Sequence, residues 1–116
     1  MHELSIAEAL RQTLLEYQQE NGGKVLKLFV SIGRLGGIDP EALEYVWPMA
    51  MGECDENVRH CQLVIKSLDI EFECGGCGKK VYAKHWIGRC PHCQNETLRR
   101  LGGRELSITG IEVENV

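Results

Sequence analysis

The spacing of apolar residues predicts a helix near the beginning of the sequence. Its apolar positions recur every three or four residues, as a helix requires: Ala7, Leu10, Leu14 and Tyr17. Ser5 and Glu8 match a capping box, in which the serine caps the first turn and the glutamate returns a hydrogen bond. The helix is therefore expected to begin at Ser5 and to end at Gly22-Gly23, because glycine commonly ends a helix.

A strand and a second helix are predicted next. Residues 24–32 alternate between polar and apolar, which indicates a strand with these residues on one face: Leu26, Leu28, Val30 and Ile32. Asp39 and Pro40 match an N-cap followed by proline in the first helical turn. The helix that follows has an apolar stripe: Leu43, Val46, Trp47, Ala50 and Met51. Pro48 lies inside this helix and removes a backbone hydrogen bond, so we expect a kink or an early end there.

Two further strands flank a cysteine-rich segment. Residues 61–72 predict one long strand, and a change of apolar phase near Ser67 indicates a bulge or twist. Residues 105–114 alternate again, with a bulge expected at Gly110. The element order predicts an α+β fold, with residues 1–72 and 102–116 as the core and 73–101 as an insert.

The insert contains two Cys-x-x-Cys pairs separated by twelve residues: Cys74, Cys77, Cys90 and Cys93. Each pair can bind a metal from a tight turn, and two facing turns make the closed sulfur site of a structural zinc ribbon. Iron suits the same four thiolates, and a redox role for a Cys-x-x-Cys pair is a further alternative. Because a closed site has no open position, its metal should hold structure, and function is expected elsewhere.

Four other residues could bind a metal. Cys61 begins a strand and is expected to be a small buried hydrophobe, whereas Cys54 is expected to be an exposed thiol. His85 and His92 lie in the insert, where surface exposure is the simpler interpretation and replacement of a thiolate is the alternative.

The net charge of −4 is distributed unevenly along the 116 residues. Residues 74–104 contain seven basic side chains and one acid, which gives +6 there and −10 elsewhere. A solvated basic face explains this uneven distribution of charge. The alternative is a functional explanation, in which the protein is a nucleic-acid-binding zinc ribbon with Tyr82 and Trp86 available to stack on bases. The absence of a long apolar run or a secretory signal, together with the unpaired cysteine motifs, predicts a cytoplasmic protein.

The first three residues combine several nitrogen donors. The α-amine of Met1, the imidazole of His2 and the backbone nitrogens up to Glu3 can face one metal ion. Ni(II) and Cu(II) favour such planar nitrogen sets, whereas zinc favours a tetrahedron. The donors must be deprotonated, so nickel affinity should fall as the pH drops through roughly 6.5. Glu3 also suits the positive end of a helix dipole, so these residues alone are only a weak indication of a nickel site.

Taken together, the sequence resembles the HypA/HybF family of nickel metallochaperones, which serve [NiFe]-hydrogenase maturation. The resemblance covers the whole chain. Besides the two cysteine pairs, it rests on the opening helix, on Gly52 and on four segments: Met1-His2-Glu3-Leu4-Ser5, Val30-Ser31-Ile32-Gly33, Cys61-Gln62-Leu63 and Ile111-Glu112-Val113.

The resemblance implies two helices on a small three-stranded sheet, with the zinc ribbon inserted. It implies nickel bound by the amine of Met1, the ring and backbone nitrogens of His2 and the backbone nitrogen of Glu3. Zinc would be bound by the quartet Cys74, Cys77, Cys90 and Cys93. The implied partners are the GTPase HypB and the hydrogenase large-subunit precursor, with urease served by some members, and a homodimer is a further expectation. We therefore expect a carrier rather than an enzyme, since no catalytic arrangement is recognisable in the sequence.

Overall fold

The computed structural model describes residues 3–114, which form two helices and two three-stranded sheets. The helices are α1 (Glu3–Asn21) and α2 (Pro40–Met51). The strands are β1 (Lys24–Gly33), β2 (Gln62–Leu68), β3 (Ile70–Cys74), β4 (Lys80–Ala83), β5 (Leu98–Gly102) and β6 (Leu106–Glu114). The elements of the predicted core occur in the predicted order, whereas β3, β4 and β5 were not predicted as separate strands.

The first sheet has the strand order β2-β1-β6. β2 is parallel to β1, with α2 in the connection between them, and β6 is antiparallel to β1. Both helices share one hydrophobic core with this sheet, and Leu14, Leu28 and Leu43 are fully buried in it. The expected arrangement of two helices on a three-stranded sheet is confirmed.

The start of α2 agrees with the prediction, whereas the start of α1 differs from it. The Asp39 carboxylate accepts a hydrogen bond from the backbone N–H of Glu41 at 3.0 Å, and Pro40 occupies the first turn, as predicted. A kink or an early end was expected at Pro48; the early end is wrong, because α2 continues to Met51, and the kink stays a prediction. The start predicted at Ser5 is also wrong, because Glu3 is already helical. Serine and glutamate three residues apart therefore lie within the helix here and do not cap it.

The long strand predicted over residues 61–72 is wrong, because it is divided into β2 and β3 at Asp69. The two strands belong to different sheets, so the phase change marks the crossing from one sheet to the other. In β1, a register shift between Val25 and Lys27 buries Val25 instead of Leu26, which is only half-buried. The expected bulge in β6 is confirmed beside Gly110, where Thr109 is the extra residue.

The second sheet has the order β4-β3-β5 and carries a small core of its own. Ile70, Phe72 and Val81 are buried there together with Cys74 and Cys90. β3 joins this sheet from Ile70 onward; the division into a core and an insert at residues 72 and 102 stays a prediction.

The loop after β1 joins the two sheets. The backbone N–H of Leu35 donates to the carbonyl of Gly103 at 2.6 Å, and its side chain packs against the second core. Gly33 lies so close to this segment that an added Cβ would be 2.4 Å from the carbonyl carbon of Gly103. Arg34 and Asp69 form an ion pair at 2.9 Å across the same joint. This tightly packed joint therefore holds the two sheets together, and the molecule extends over 54 × 27 × 16 Å.

In the described part of the chain, neither α1 nor α2 combines the length and the hydropathy that a bilayer-spanning helix needs.

Candidate metal centre

The first pair of cysteines lies on the turn between β3 and β4. Cys74 ends β3, and the N–H of Gly78 donates to its carbonyl at 3.0 Å, which closes the turn. Gly78 has φ +74°, a conformation that glycine adopts without strain. The N–H groups of Gly76 and Cys77 point at the Cys74 sulfur, at 3.3 and 3.5 Å. The turn therefore presents two N–H donors to a sulfur that bears negative charge when it binds a metal.

The second pair repeats this geometry before β5. The N–H of Gln94 donates to the carbonyl of Cys90 at 2.9 Å, and Gln94 is the non-glycine residue with positive φ (65°) in the described chain. The N–H of His92 points at the Cys90 sulfur at 3.4 Å. A proline, a histidine and a glutamine therefore build here the same kind of turn that glycines build in the first pair.

The two turns bring the four sulfur atoms together. The sulfurs of Cys74 and Cys93 are 3.5 Å apart, those of Cys77 and Cys90 are 3.8 Å apart, and all four lie within 4.8 Å of one another. A tetrahedron of sulfurs about 2.3 Å from a central zinc has edges of about 3.8 Å. The four-cysteine site is therefore compatible with structural zinc.

Hydrogen bonds and burial act in opposite directions on the Cys74 thiol. The backbone N–H of Cys77 makes the largest contribution. Together with the N–H of Gly76 and hydrogen bonds from the thiols of Cys93 and Cys77, it outweighs burial and lowers the pKa of Cys74 to about 6. Cys74 and Cys90 are buried, whereas Cys77 and Cys93 are exposed. One side of the site thus faces the second core and the other faces solvent.

The basic charge of the cysteine-rich segment is partly neutralised by ion pairs. Arg99 pairs with Glu73 at 2.8 Å and Lys80 with Glu71 at 3.4 Å. Both acids belong to β3, just before the segment whose charge was counted in the sequence. A third pair, between Arg89 and Glu96, lies within it at 2.9 Å. The exposed positive charge is therefore smaller than the sequence count indicates.

The other candidate ligands lie outside the cluster of described cysteines. Cys61 is buried, as predicted, and burial raises the pKa of its thiol to about 11, so it stays protonated at neutral pH. Cys54 was expected to be exposed; it is half-buried and packs against the first core. His85 and His92 are exposed.

The predicted nickel ligands are only partly within the described residues. Met1 and His2 lie outside them. Glu3 is the first described residue of α1, and its carboxylate accepts a hydrogen bond from the backbone N–H of Asp39 at 3.3 Å. The role of Asp39 as a partner of Glu3 was missed by the sequence analysis. The two residues are 36 positions apart, so no local pattern signals this contact.

The fold and the four-cysteine site define a small α+β metal-binding protein with a zinc-ribbon-like element. Comparison with known families identifies it further. The family model described as "HypA: Hydrogenase/urease nickel incorporation, metallochaperone, hypA" matches residues 1–113, and the chain belongs to this family.

Curated relatives and solved structures agree with this assignment. The chain is 34% identical over 115 residues to the hydrogenase maturation factor HypA of Rhodobacter capsulatus, covering 97% of this chain and 99% of the relative. It is 32% identical over 114 residues to HypA of Synechococcus elongatus, with 97% and 99% covered. Its fold matches the solution structure of the Ni metallochaperone HypA from Helicobacter pylori with a TM-score of 0.65 at 22% identity, covering 97% of each chain.

The family assignment settles the general class of function. A metallochaperone carries a metal ion and does not catalyse a reaction, which confirms the expectation that the chain is not an enzyme. The family serves nickel incorporation into hydrogenase and urease. The nucleic-acid-binding alternative is not favoured.

Proposed function

We propose that this protein binds Ni(II) through its first three residues and delivers it to the large subunit of a [NiFe]-hydrogenase during maturation. The proposal rests on the match of a nickel-incorporation family model over residues 1–113, a range that includes these three residues. The ligands would be the amine of Met1, the ring and backbone nitrogens of His2 and the backbone nitrogen of Glu3. Such a planar nitrogen set suits Ni(II) better than zinc.

The position of Glu3 supports its part in this ligand set. The first N–H groups of a helix have no acceptor within the helix, and α1 is helical from Glu3 onward. The Glu3 amide is therefore not needed for helical hydrogen bonding and can lose its proton to a metal. The hydrogen bond from Asp39 to the Glu3 carboxylate holds this turn against the start of α2.

The quartet of cysteines would bind zinc as a structural ion: Cys74, Cys77, Cys90 and Cys93. The sulfur distances and the N–H groups aimed at Cys74 and Cys90 support this assignment. A four-thiolate zinc site has no open position and stabilises the turns that bind it. The thiols must stay reduced for this purpose, which fits a cytoplasmic location.

Nickel delivery requires partners that compete for the bound ion. The proposal assigns this role to the hydrogenase large-subunit precursor and includes the GTPase HypB, with urease as a second destination. The role of the family in hydrogenase and urease nickel incorporation supports partners of this kind. A homodimer is part of the same proposal.

A nickel titration with two changes at the chain start tests the proposal. One variant is His2→Ala, and the other has a single glycine added before Met1. Each change removes or displaces donors without touching a described contact, so circular dichroism should stay unchanged while nickel binding is lost or strongly weakened. Native nickel affinity in both forms would contradict the proposed site. His60→Ala is the matched control, because His60 is exposed and far along the sequence from the proposed ligands.

A further inference from the structure

The solvent face of α2 carries large apolar side chains that the first core does not use. Tyr45 and Met49 lie one helical turn apart, and they are 78% and 61% exposed. A single exposed apolar residue is ordinary, but neighbouring ones form a patch, and apolar patches often mark interaction sites.

A cavity of about 300 Å³ opens beside this face, between α2 and the start of β2. Glu44 and Pro48 line its helical side, and Gln62 lines its strand side. Trp47 and Cys61 also line it, and the indole N–H of Trp47 donates to the Cys61 carbonyl at 2.8 Å. This hydrogen bond orients the indole in the wall of the cavity.

Backbone groups without helical or strand partners border the same cavity. β2 is an edge strand of the first sheet, so no other described strand pairs with its outer side. An open strand edge is a template for an additional strand. On the helical side, Pro48 has no N–H, so the carbonyl of Glu44 lacks its usual helical donor.

Acidic side chains predominate on α2 and in the segments that flank it. Residues 39–58 contain six acids and no lysine or arginine: Asp39, Glu41, Glu44, Glu53, Asp55 and Glu56. Arg59 neutralises Glu56 at 2.6 Å. The exposed base on β2 is Lys66, four residues beyond Gln62 and therefore about 13 Å along the strand. The end of the groove at Glu44 is thus acidic.

We propose that this groove binds an extended segment of a partner protein that carries lysine or arginine. The segment would add to the open edge of β2 as a further strand and place one of its side chains in the cavity. A basic side chain would lie against Glu44, and Tyr45 and Met49 would cover the segment from the helix. This inference does not depend on the nickel site.

A short fluorescent peptide is the probe for this surface. Valine and threonine alternate in it, and lysines occupy one end. One control peptide has glutamates in place of the lysines. Another has proline in place of the central valine, and because proline has no N–H, this peptide cannot pair along a strand edge. We expect saturable binding of the lysine peptide, measured by fluorescence anisotropy, that weakens with salt and is absent for both controls.

Paired variants locate the binding. Glu44→Lys should weaken binding of the lysine peptide by about tenfold or more. Glu20→Lys makes the same charge change at an exposed position of α1 and should have little effect on this binding. Tyr45→Ala should also weaken binding of the lysine peptide. Tyr82→Ala should not, although Tyr82 on β4 is 61% exposed.

Three outcomes overturn the proposal. The first is equal binding of the proline peptide, and the second is an equal effect of Glu44→Lys and Glu20→Lys. The third is self-association of the protein that increases with its concentration and is lost in Tyr45→Ala. In this outcome the peptide does not compete with the second copy of the chain. A second copy of the chain would then occupy the groove.

Discussion

The carboxylate of Glu3 accepts a hydrogen bond from the backbone N–H of Asp39 at 3.3 Å. Asp39 in turn caps α2 with its own carboxylate. The first turn of α1 is therefore tied to the start of α2 through a side chain, and the Glu3 backbone nitrogen takes no part in the contact. This arrangement suits the proposal that the backbone nitrogen of Glu3, and not its carboxylate, is a nickel ligand.

Two substitutions of Glu3 separate these roles. Glu3→Gln keeps a side-chain acceptor for Asp39 and should bind nickel as the native chain does. Glu3→Pro is compatible with the first turn of a helix, but proline has no amide proton to lose. We expect its nickel affinity, measured by isothermal titration calorimetry, to fall by about tenfold or more. Equal affinities of the two variants, with helical content unchanged, would argue against ligation by the backbone nitrogen.

A methyl group at Gly33 should disturb the joint between the two sheets. An added Cβ would lie 2.4 Å from Gly103 and 2.7 Å from the nitrogen of Arg104, both backbone atoms that cannot move aside cheaply. We expect Gly33→Ala to lower the free energy of unfolding by about 1–3 kcal/mol or more, as measured by urea denaturation. Gly88→Ala is the control, because nothing lies within 4 Å of its added Cβ. Equal stability of the two variants would show that the joint is loosely packed.

Removing the proline from α2 should stabilise the protein. Pro48→Ala restores an N–H that can donate to the Glu44 carbonyl, and alanine is favoured over proline inside helices. Part of this gain is offset because proline also restricts the unfolded chain. We expect the free energy of unfolding to rise by about 1–2 kcal/mol. Unchanged or lower stability would indicate that Glu44 already has another donor.

Loss of one cysteine of the quartet should affect the second sheet selectively. Cys74→Ala removes a sulfur that lies in the second core, and metal-dependent folds are lost with their ligands. We expect faster tryptic cleavage at exposed Lys79 and Arg89, while the helical circular dichroism signal largely persists. Chelation of zinc from the native chain should reproduce this pattern.

The control for this experiment is Cys54→Ala, at a half-buried cysteine outside the quartet. Its cleavage pattern should match that of the native chain. Unchanged cleavage at Lys79 in Cys74→Ala would show that the second sheet is stable without its metal site.

Local patterns in the sequence were sufficient to predict much of the fold. The N-cap at Asp39 and the bulge beside Gly110 depend on neighbouring residues, and both were predicted correctly. Each Cys-x-x-Cys turn likewise needs only its own few residues, and the four sulfurs meet as the spacing of the two pairs predicted.

Errors arose where distant residues decide the structure. The phase change near Ser67 does not distinguish a bulge in one long strand from two strands in different sheets, which Asp69 separates. The joint of Gly33 with Gly103 and the contact of Glu3 with Asp39 connect residues far apart in sequence. Periodicity and motif spacing contain no information about such pairs, so these contacts became visible only in the folded chain.

In the proposed function, nickel binds to nitrogen donors at the start of the chain and not to the cysteine quartet. X-ray absorption at the nickel edge of the zinc-loaded protein with one equivalent of Ni(II) distinguishes these two sites. We expect a planar shell of nitrogen neighbours without sulfur. Sulfur neighbours around nickel would contradict it and would place the carried ion at Cys74, Cys77, Cys90 and Cys93.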